Sequence, residues 1–270
     1  KDATLTINSG SSLTINLRYD GAREVSGNTI DGTLINNGIL NLNIGIGIGP
    51  EGVLTNNGII NIAEYDSQTD LEGQIYSKDG GRLVNNASGV INNSGGIIIE
   101  VGSSFRNDGE FVNNGYFNGT SRIKGVEDEP LAYSGNAPAG RNEGFDFTAL
   151  IDSETGLRKA AVDSNITDIR VHPDIPEEMS FGELTPGEIE ALTKVDITVT
   201  DPIVINTSFA IVTFIDTEKD ENGRDKLDEY GEPIGIEAFP AILNIGNGVK
   251  LILNKYSSML GELHVASGGQ

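Results

Sequence analysis

The chain has 270 residues and a formal net charge of −22, and 37% of its residues are hydrophobic, which is enough for a continuous core. So acidic a surface repels phosphate backbones and argues against nucleic-acid binding. The chain contains no cysteine and so forms no disulfide. It also contains no run of about 18 apolar residues, the length that would predict a membrane-spanning helix. The 35 glycines favour repeated turns, because glycine accepts positive φ at little cost.

An internal repeat is the strongest signal in the N-terminal half. Residues 34–42 read LINNGILNL, and twenty residues later residues 54–62 read LTNNGIINI. The phrase returns over residues 83–92, and residues 105–118 contain it twice with a step of six. The alternation of apolar and polar residues within each phrase is typical of a short strand with one buried face.

The spacing of this repeat decides between two interpretations of its Asn-Gly pairs. Asn-Gly between apolar runs often forms a two-residue hairpin, which would build an antiparallel sandwich or barrel. A step of twenty with a sub-step of six instead gives three short strands per coil, with Asn-Gly at corners that need positive φ. We therefore predict an all-β fold, a parallel and right-handed β-helix in which stacked asparagines form amide ladders.

Three segments follow along the chain. Residues 1–125 are Asn/Gly-rich coils, residues 126–194 are a loop-rich insertion or a set of irregular coils, and residues 195–270 continue the solenoid. Within the insertion, residues 185–192 have the capping pattern of a short helix. Residues 216–233 are an acidic loop between two strands. Neither end carries an obvious cap, so we expect a segment of a longer protein or self-association through open solenoid ends.

The acidic loop has the spacing of an EF-hand calcium loop. Four oxygen-bearing side chains and a glycine at the sharp turn, Gly223, match the pattern, and Asp225 adds an oxygen where an apolar residue is usual; no helices flank the loop. The hypothesis is calcium binding, and the alternative is a solvated hairpin tip. The predicted metal ligands are Glu218, Asp220, Asn222, Asp225 and Glu229.

No convincing catalytic site emerges from the sequence. Paired carboxylates could cleave glycosides, and the candidates lie in the irregular middle of the chain. His172 and His264 lack the neighbours of a triad or a metal site, so we predict a protein that is not an enzyme. The candidate carboxylates are Asp146, Asp152, Glu154 and Asp163.

Two further patterns bear on binding. Gly45, Gly47 and Gly49 alternate with isoleucines, which predicts a strand with a flat glycine strip on one face. The seven tyrosines are scattered along the chain and tryptophan is absent, which weakens the case for an aromatic sugar-binding platform.

Residues 5–15, LTINSGSSLTI, and residues 54–61, LTNNGIIN, resemble the coils of bacterial surface β-helix proteins of the adhesin and autotransporter-passenger kind. The resemblance covers residues 1–125 and 195–265. It implies extracellular display at the cell surface and a rigid rod that binds a host, a polymer or sister cells. It assigns no role to any residue, because the family shares no fixed site.

The function expected from the sequence is a non-enzymatic cell-surface adhesin or stalk segment. Its partner would be a surface glycan, a polysaccharide or a protein, bound through residues 126–190 and the acidic loop. One alternative is a structural module of a surface layer or filament that assembles end to end. The other is a polysaccharide hydrolase or lyase built on a β-helix.

Overall fold

The chain forms two compact units in a computed structural model. None of the described residues belongs to a helix long and apolar enough to cross a membrane. The first unit comprises Lys1–Arg122 and Pro130–Thr148, and the second comprises Ile123–Glu129 and Ala149–Gln270. The structure describes residues 3–16, 28–67, 72–123, 132–140, 145–172, 194–217 and 235–269.

The first unit is a parallel β-solenoid of mostly four-residue strands. Its strands are β1 (Thr4–Ile7), β2 (Ser12–Ile15), β3 (Thr29–Ile30), β4 (Thr33–Asn36), β5 (Ile39–Leu42), β6 (Gly45–Ile48), β7 (Val53–Asn56), β8 (Ile59–Ile62), β9 (Gln74–Ser77), β10 (Arg82–Asn85), β11 (Val90–Asn93), β12 (Gly96–Ile99), β13 (Ser104–Asn107), β14 (Glu110–Asn113), β15 (Tyr116–Ile123), β16 (Tyr133–Gly135) and β17 (Ala139–Gly140). Sheet A stacks β1-β4-β7-β10-β13-β16, sheet B stacks β2-β5-β8-β11-β14-β17, and sheet C stacks β3-β6-β9-β12-β15.

The second unit repeats this architecture. Its elements follow as β18 (Phe145–Ile151), which ends in this unit, α1 (Glu154–Val162), β19 (Asp168–Val171), β20 (Asp196–Val199), β21 (Ile203–Ile205), β22 (Ser208–Ile211), β23 (Thr213–Thr217), β24 (Gly235–Pro240), β25 (Ile242–Ile245), β26 (Leu251–Leu253), β27 (Ser257–Met259) and β28 (Glu262–Val265). Parallel strands form sheet D (β20-β25-β28), sheet E (β21-β26) and sheet F (β19-β22-β27), while β23 and β24 pair antiparallel.

Strand register confirms the predicted parallel β-helix. Leu34 pairs with Leu54 in sheet A, and Leu40 pairs with Ile60 in sheet B, so equivalent residues of successive coils stand directly above one another. Coil length varies: the ladder asparagines of neighbouring coils are separated by 20, 29 or 22 residues. The strands hold register, and the corners absorb the difference in length. The hand of the coil stays a prediction.

The core of the first unit changes from aliphatic to aromatic along the stack. The inward position of each strand in the early coils carries leucine or isoleucine, whereas one later coil carries Phe105, Phe111 and Phe117. These three rings meet edge to face, with centroids 5.0 to 5.7 Å apart. Phe147 packs beside Phe117 because Gly119 leaves room, since a Cβ there would lie 2.3 Å from the Phe147 ring.

Amide ladders run through the first unit, as the repeat predicted. Asn36, Asn56, Asn85 and Asn107 are fully buried at the last position of successive sheet A strands. Each Nδ2 donates to the Oδ1 of the next asparagine at 2.7 to 2.8 Å. The last amide donates to the hydroxyl of Tyr133 at 3.2 Å. A second ladder, Asn41, Asn61 and Asn92, crosses the outer face of sheet B at 2.9 Å per step.

The Asn-Gly corners are correctly placed, but the predicted reason for their glycines is wrong. Gly38 and Gly58 do not have positive φ; that conformation occurs at longer corners, for example at Gly10 (79°) and Gly102 (84°). A Cβ on Gly58 would lie 2.2 Å from the carbonyl oxygen of Gly38 in the preceding coil. Glycine is needed there because the stacked backbones approach closely.

The segment 126–194 contains regular structure where it is described. β16 and β17 pair in parallel with β13 and β14, and β19 pairs with β22. The helix α1, which the sequence did not predict, begins at an N-cap serine, Ser153, whose side chain accepts the N–H of Gly156. The helix predicted at residues 185–192 lies outside the described residues.

Candidate functional site

The predicted calcium loop cannot be placed on the fold. Glu218, Asp220, Asn222, Asp225 and Glu229 all lie outside the described residues. Within the part of the chain that the structure describes, no three His, Asp or Glu side chains converge in the way a metal ion requires. Calcium binding therefore stays a prediction.

Glu154 serves the packing of α1. The backbone N–H of Thr200 donates to its Oε1 at 2.9 Å, and Nε of Arg158 donates to the same oxygen at 3.1 Å. Burial raises the pKa of Glu154, but the hydrogen bonds from Thr200 and Arg158 outweigh it and leave the pKa below its usual value. This carboxylate anchors the first turn of the helix.

The other candidate carboxylates lie on β18 or at the two ends of α1. Asp163 is the C-cap of α1 and accepts the N–H of Asn165 at 2.8 Å. It stands about 13 Å from Glu154 along the helix axis at about 1.5 Å per residue, beyond the separation of about 5 to 9.5 Å used by glycoside hydrolases. Asp146 is exposed on β18, and Asp152 directly follows that strand.

The two histidines lie apart in the second unit. His264 is exposed on β28, where its Nε2 is 2.9 Å from Oε2 of Glu262 and its Nδ1 is 3.2 Å from Oδ1 of Asn244. His172 follows β19, and its backbone N–H donates to the carbonyl of Ile151 at 3.2 Å. The ring of His264 therefore bridges two polar side chains of sheet D.

The outer face of sheet C brings together groups that the sequence keeps apart. Side chains alternate along each strand, so the residues between the buried isoleucines point outward. One outward row runs Gly45, Gln74, Gly96 and Tyr116, and the neighbouring row runs Gly47, Tyr76, Ile98 and Asn118. Rungs within a row are about 4.8 Å apart and the two rows about 6.6 Å apart.

The side chain of Tyr116 extends along the first row. A Cβ on Gly96 would fall 2.1 Å from Cζ of Tyr116, so the ring lies over this glycine. The side-chain amide of Gln74 donates to the Tyr116 hydroxyl, which lies 3.4 Å from Oε2 of Glu72. The ring is thus held at its base by its strand and at its tip by polar partners.

Tyr76 lies on the second row and extends in the opposite direction along the stack. Its hydroxyl donates to Oε1 of Glu100, which follows β12. Beside it, Gly47 faces outward as the sequence predicted, and a Cβ there would meet only Thr29 and the Asn28 carbonyl, at 3.4 Å or more. We call this surface the tyrosine platform: Tyr76, Tyr116 and Gly96, with Glu72, Gln74 and Glu100 at its edges.

The surroundings of Tyr116 favour its neutral form. Burial raises the pKa of Tyr116; the hydrogen bond from Gln74 lowers it, and the negative charge of Glu72 raises it further. The net direction is upward, so at neutral pH the Tyr116 hydroxyl carries its proton and can donate it to Glu72. The outcome is an uncharged aromatic surface bordered by acidic oxygens.

Sequence reasoning missed the platform because its rings are separated by 40 positions and two rungs of the stack. The usable signal was register: with coils aligned on their asparagines, Gly96 falls between Gln74 and Tyr116. A glycine that replaces a larger outward residue in one row leaves space for a neighbouring ring.

Comparisons with known proteins return no relative. No family model, no curated protein and no solved structure matches this chain.

Proposed function

We propose that the chain is a binding segment of a non-enzymatic adhesin or stalk at the cell surface, and that it holds a glycan on the tyrosine platform. The observation that carries the proposal is the pair of tyrosines on the outer face of sheet C whose hydroxyl groups are held by polar partners. Tyrosine offers a large apolar face for the C–H face of a sugar ring and loses little conformational entropy on binding.

Rigidity supports this assignment. Tyr76 and Tyr116 both rise from strands of a stacked sheet, and a binding group on a strand is positioned more precisely than one on a loop. Successive rungs place equivalent groups about 4.8 Å apart, so a linear polymer can follow the axis of the stack. Display outside the cell is part of the proposal and follows from the resemblance to surface β-helix proteins.

The test is a screen of the purified chain against neutral, basic and acidic glycans, followed by affinity measurements on any glycan that binds. Tyr116→Ala and Tyr76→Ala should each weaken binding by about tenfold, the equivalent of about 1.4 kcal/mol. Tyr256→Ala is the matched control, because this tyrosine is 77% exposed and lies in the second unit.

Melting curves must show that each variant remains folded. Equal affinity of the wild type and both platform variants for the glycan would overturn the proposal. Loss of binding only on removal of residues 126–190 would return the site to the segment expected from the sequence. Failure of the wild type to bind any glycan would favour a structural stalk or filament module.

A further inference from the structure

The two tyrosines of the platform use their hydroxyl protons internally, while Gln74 keeps one of its two amide N–H groups. The Tyr76 hydroxyl donates to Glu100, and the Gln74 amide nitrogen donates to the hydroxyl of Tyr116. The Tyr116 hydroxyl has its own acceptor in Oε2 of Glu72 at 3.4 Å. A phenol has one proton to give, so neither tyrosine keeps a donor for a ligand while these bonds last.

What the platform offers instead is acceptors. An ionised carboxylate accepts at about four lone-pair positions, and the contact with Tyr116 occupies one of them at Glu72. The Oε1 atom of Gln74 lies 3.9 Å from the point that a Cβ of Gly45 would occupy, so it borders the glycine strip. The hydroxyl groups of both tyrosines therefore lie beside oxygens that can accept hydrogen bonds from a ligand.

The charge of the chain favours the same kind of ligand as the acceptor oxygens do, namely a cation. The chain carries a net charge of −22, and such a field concentrates cations and repels anions. The nearest basic group by register is Lys78, an exposed residue at the corner after β9, in line with Glu100. Arg122 lies farther along the outward side of β15, so the preference for a cation rests on the acceptor oxygens and on the net negative charge of the chain.

Resting on the glycan-binding function proposed above, we propose that the ligand is a polysaccharide of amino sugars with free, protonated amines. An ammonium group brings three donors and no acceptor, which complements Glu72, Gln74 and Glu100. An N-acetyl group brings a carbonyl that needs a donor, and a uronate brings a negative charge. The sugar ring stacks on the tyrosines, while the amine selects among sugars.

The test uses three oligosaccharides of equal length and linkage, made of glucosamine, N-acetylglucosamine or glucose, titrated calorimetrically into the full chain. We expect the glucosamine oligomer to bind at least tenfold more tightly than the other two. Glu100→Gln and Glu72→Gln should remove most of that preference and leave binding of the glucose oligomer unchanged. Tyr116→Ala should weaken all three.

Two matched variants separate the platform from general attraction of a cation to an acidic protein. Glu110→Gln removes an exposed carboxylate from sheet B and should leave the preference intact. Lys78→Gln should leave it intact or increase it. A loss with Glu110→Gln as large as that with Glu100→Gln would show nonspecific adsorption and overturn the inference.

The outcomes also separate this inference from the function beneath it. If the three oligomers bind equally and Tyr116→Ala weakens them all, the glycan platform stands and the amino-sugar preference is wrong. If none of the three binds while another glycan does so through the tyrosines, the preference is likewise wrong. If no glycan binds, both proposals fail.

Discussion

Asn85 uses its whole side chain inside the coil. Its Oδ1 accepts from Asn56 at 2.8 Å, and its Nδ2 donates to Oδ1 of Asn107 at 2.8 Å and to the carbonyl of Glu110 at 3.0 Å. Hydrogen bonds offset the desolvation cost of a buried amide only when each of its polar atoms has a partner. The ladder is therefore a stabilising element so long as no rung is missing.

Asn85→Ala should lower the free energy of unfolding by about 1 to 3 kcal/mol, because it leaves buried partners without a hydrogen bond. Urea denaturation measures the change. Asn92→Ala is the control, since Asn92 also belongs to a ladder but lies on the exposed face of sheet B; it should cost less than about 0.5 kcal/mol. Equal costs would mean that the buried ladder contributes nothing special.

Tyr133 ends the buried ladder and should make stability depend on alkaline pH. Burial raises the pKa of Tyr133 to about 12, although the hydrogen bond from Asn107 opposes the shift. The unfolded chain loses this proton near pH 10, so the stabilisation is complete below that pH and is lost as pH rises toward 12.

The measurement for Tyr133 is the urea midpoint between pH 9 and 12. We expect the wild-type midpoint to fall more steeply across this range than that of Tyr133→Phe, which has no proton to lose. All other ionisable groups are common to the two proteins and cancel in the comparison. Parallel curves would contradict the assigned role of Tyr133.

At the scale of the strands, inward side chains of successive coils pack in columns that form the core. Leu40, Ile60, Ile91 and Phe111 occupy the same column of sheet B in successive strands. Phe111→Ala should cost about 3 to 5 kcal/mol, because the edge-to-face aromatic cluster cannot close around the cavity. Phe111→Leu, which restores the side chain of earlier coils, should cost less than about 1.5 kcal/mol. Thermal unfolding of both variants tests the ranking, and equal losses would contradict it.

At this scale the sequence predicted strands, coils and ladders, since residues such as Leu34 and Asn36 recur at a period that only stacking satisfies. It did not predict α1, whose nine residues carry no strong amphipathic pattern and depend on Thr200, distant in sequence, to hold Glu154. Nor did it predict the platform, because outward residues follow no hydrophobic rule. Periodicity reports what is buried, and binding groups are mostly exposed.

At the scale of the whole molecule, the net charge of −22 means that many cations could bind, and calcium is the one that the spacing of the acidic loop predicts. If residues 218–229 bind calcium as their spacing predicts, millimolar calcium should raise the melting temperature, because a ligand that binds only the folded state stabilises it. Asp220→Asn with Glu229→Gln should abolish the rise, and Glu110→Gln should not. An equal rise with magnesium would indicate charge screening instead of a calcium site.

Successive coils share one strand register, and this allows whole coils to be lost or duplicated during evolution. Residues 33–52 make one complete coil, and the residue after it, Val53, occupies the place in sheet A that Thr33 occupies one rung earlier. Excision of those twenty codons would seat β7 against β1 in the same register, with Leu54 beside Leu5 and Thr55 beside Thr6. Recombination can thus remove or add whole rungs of the first unit, while outward residues such as Tyr76 and Tyr116 diverge without disturbing the stacked strands.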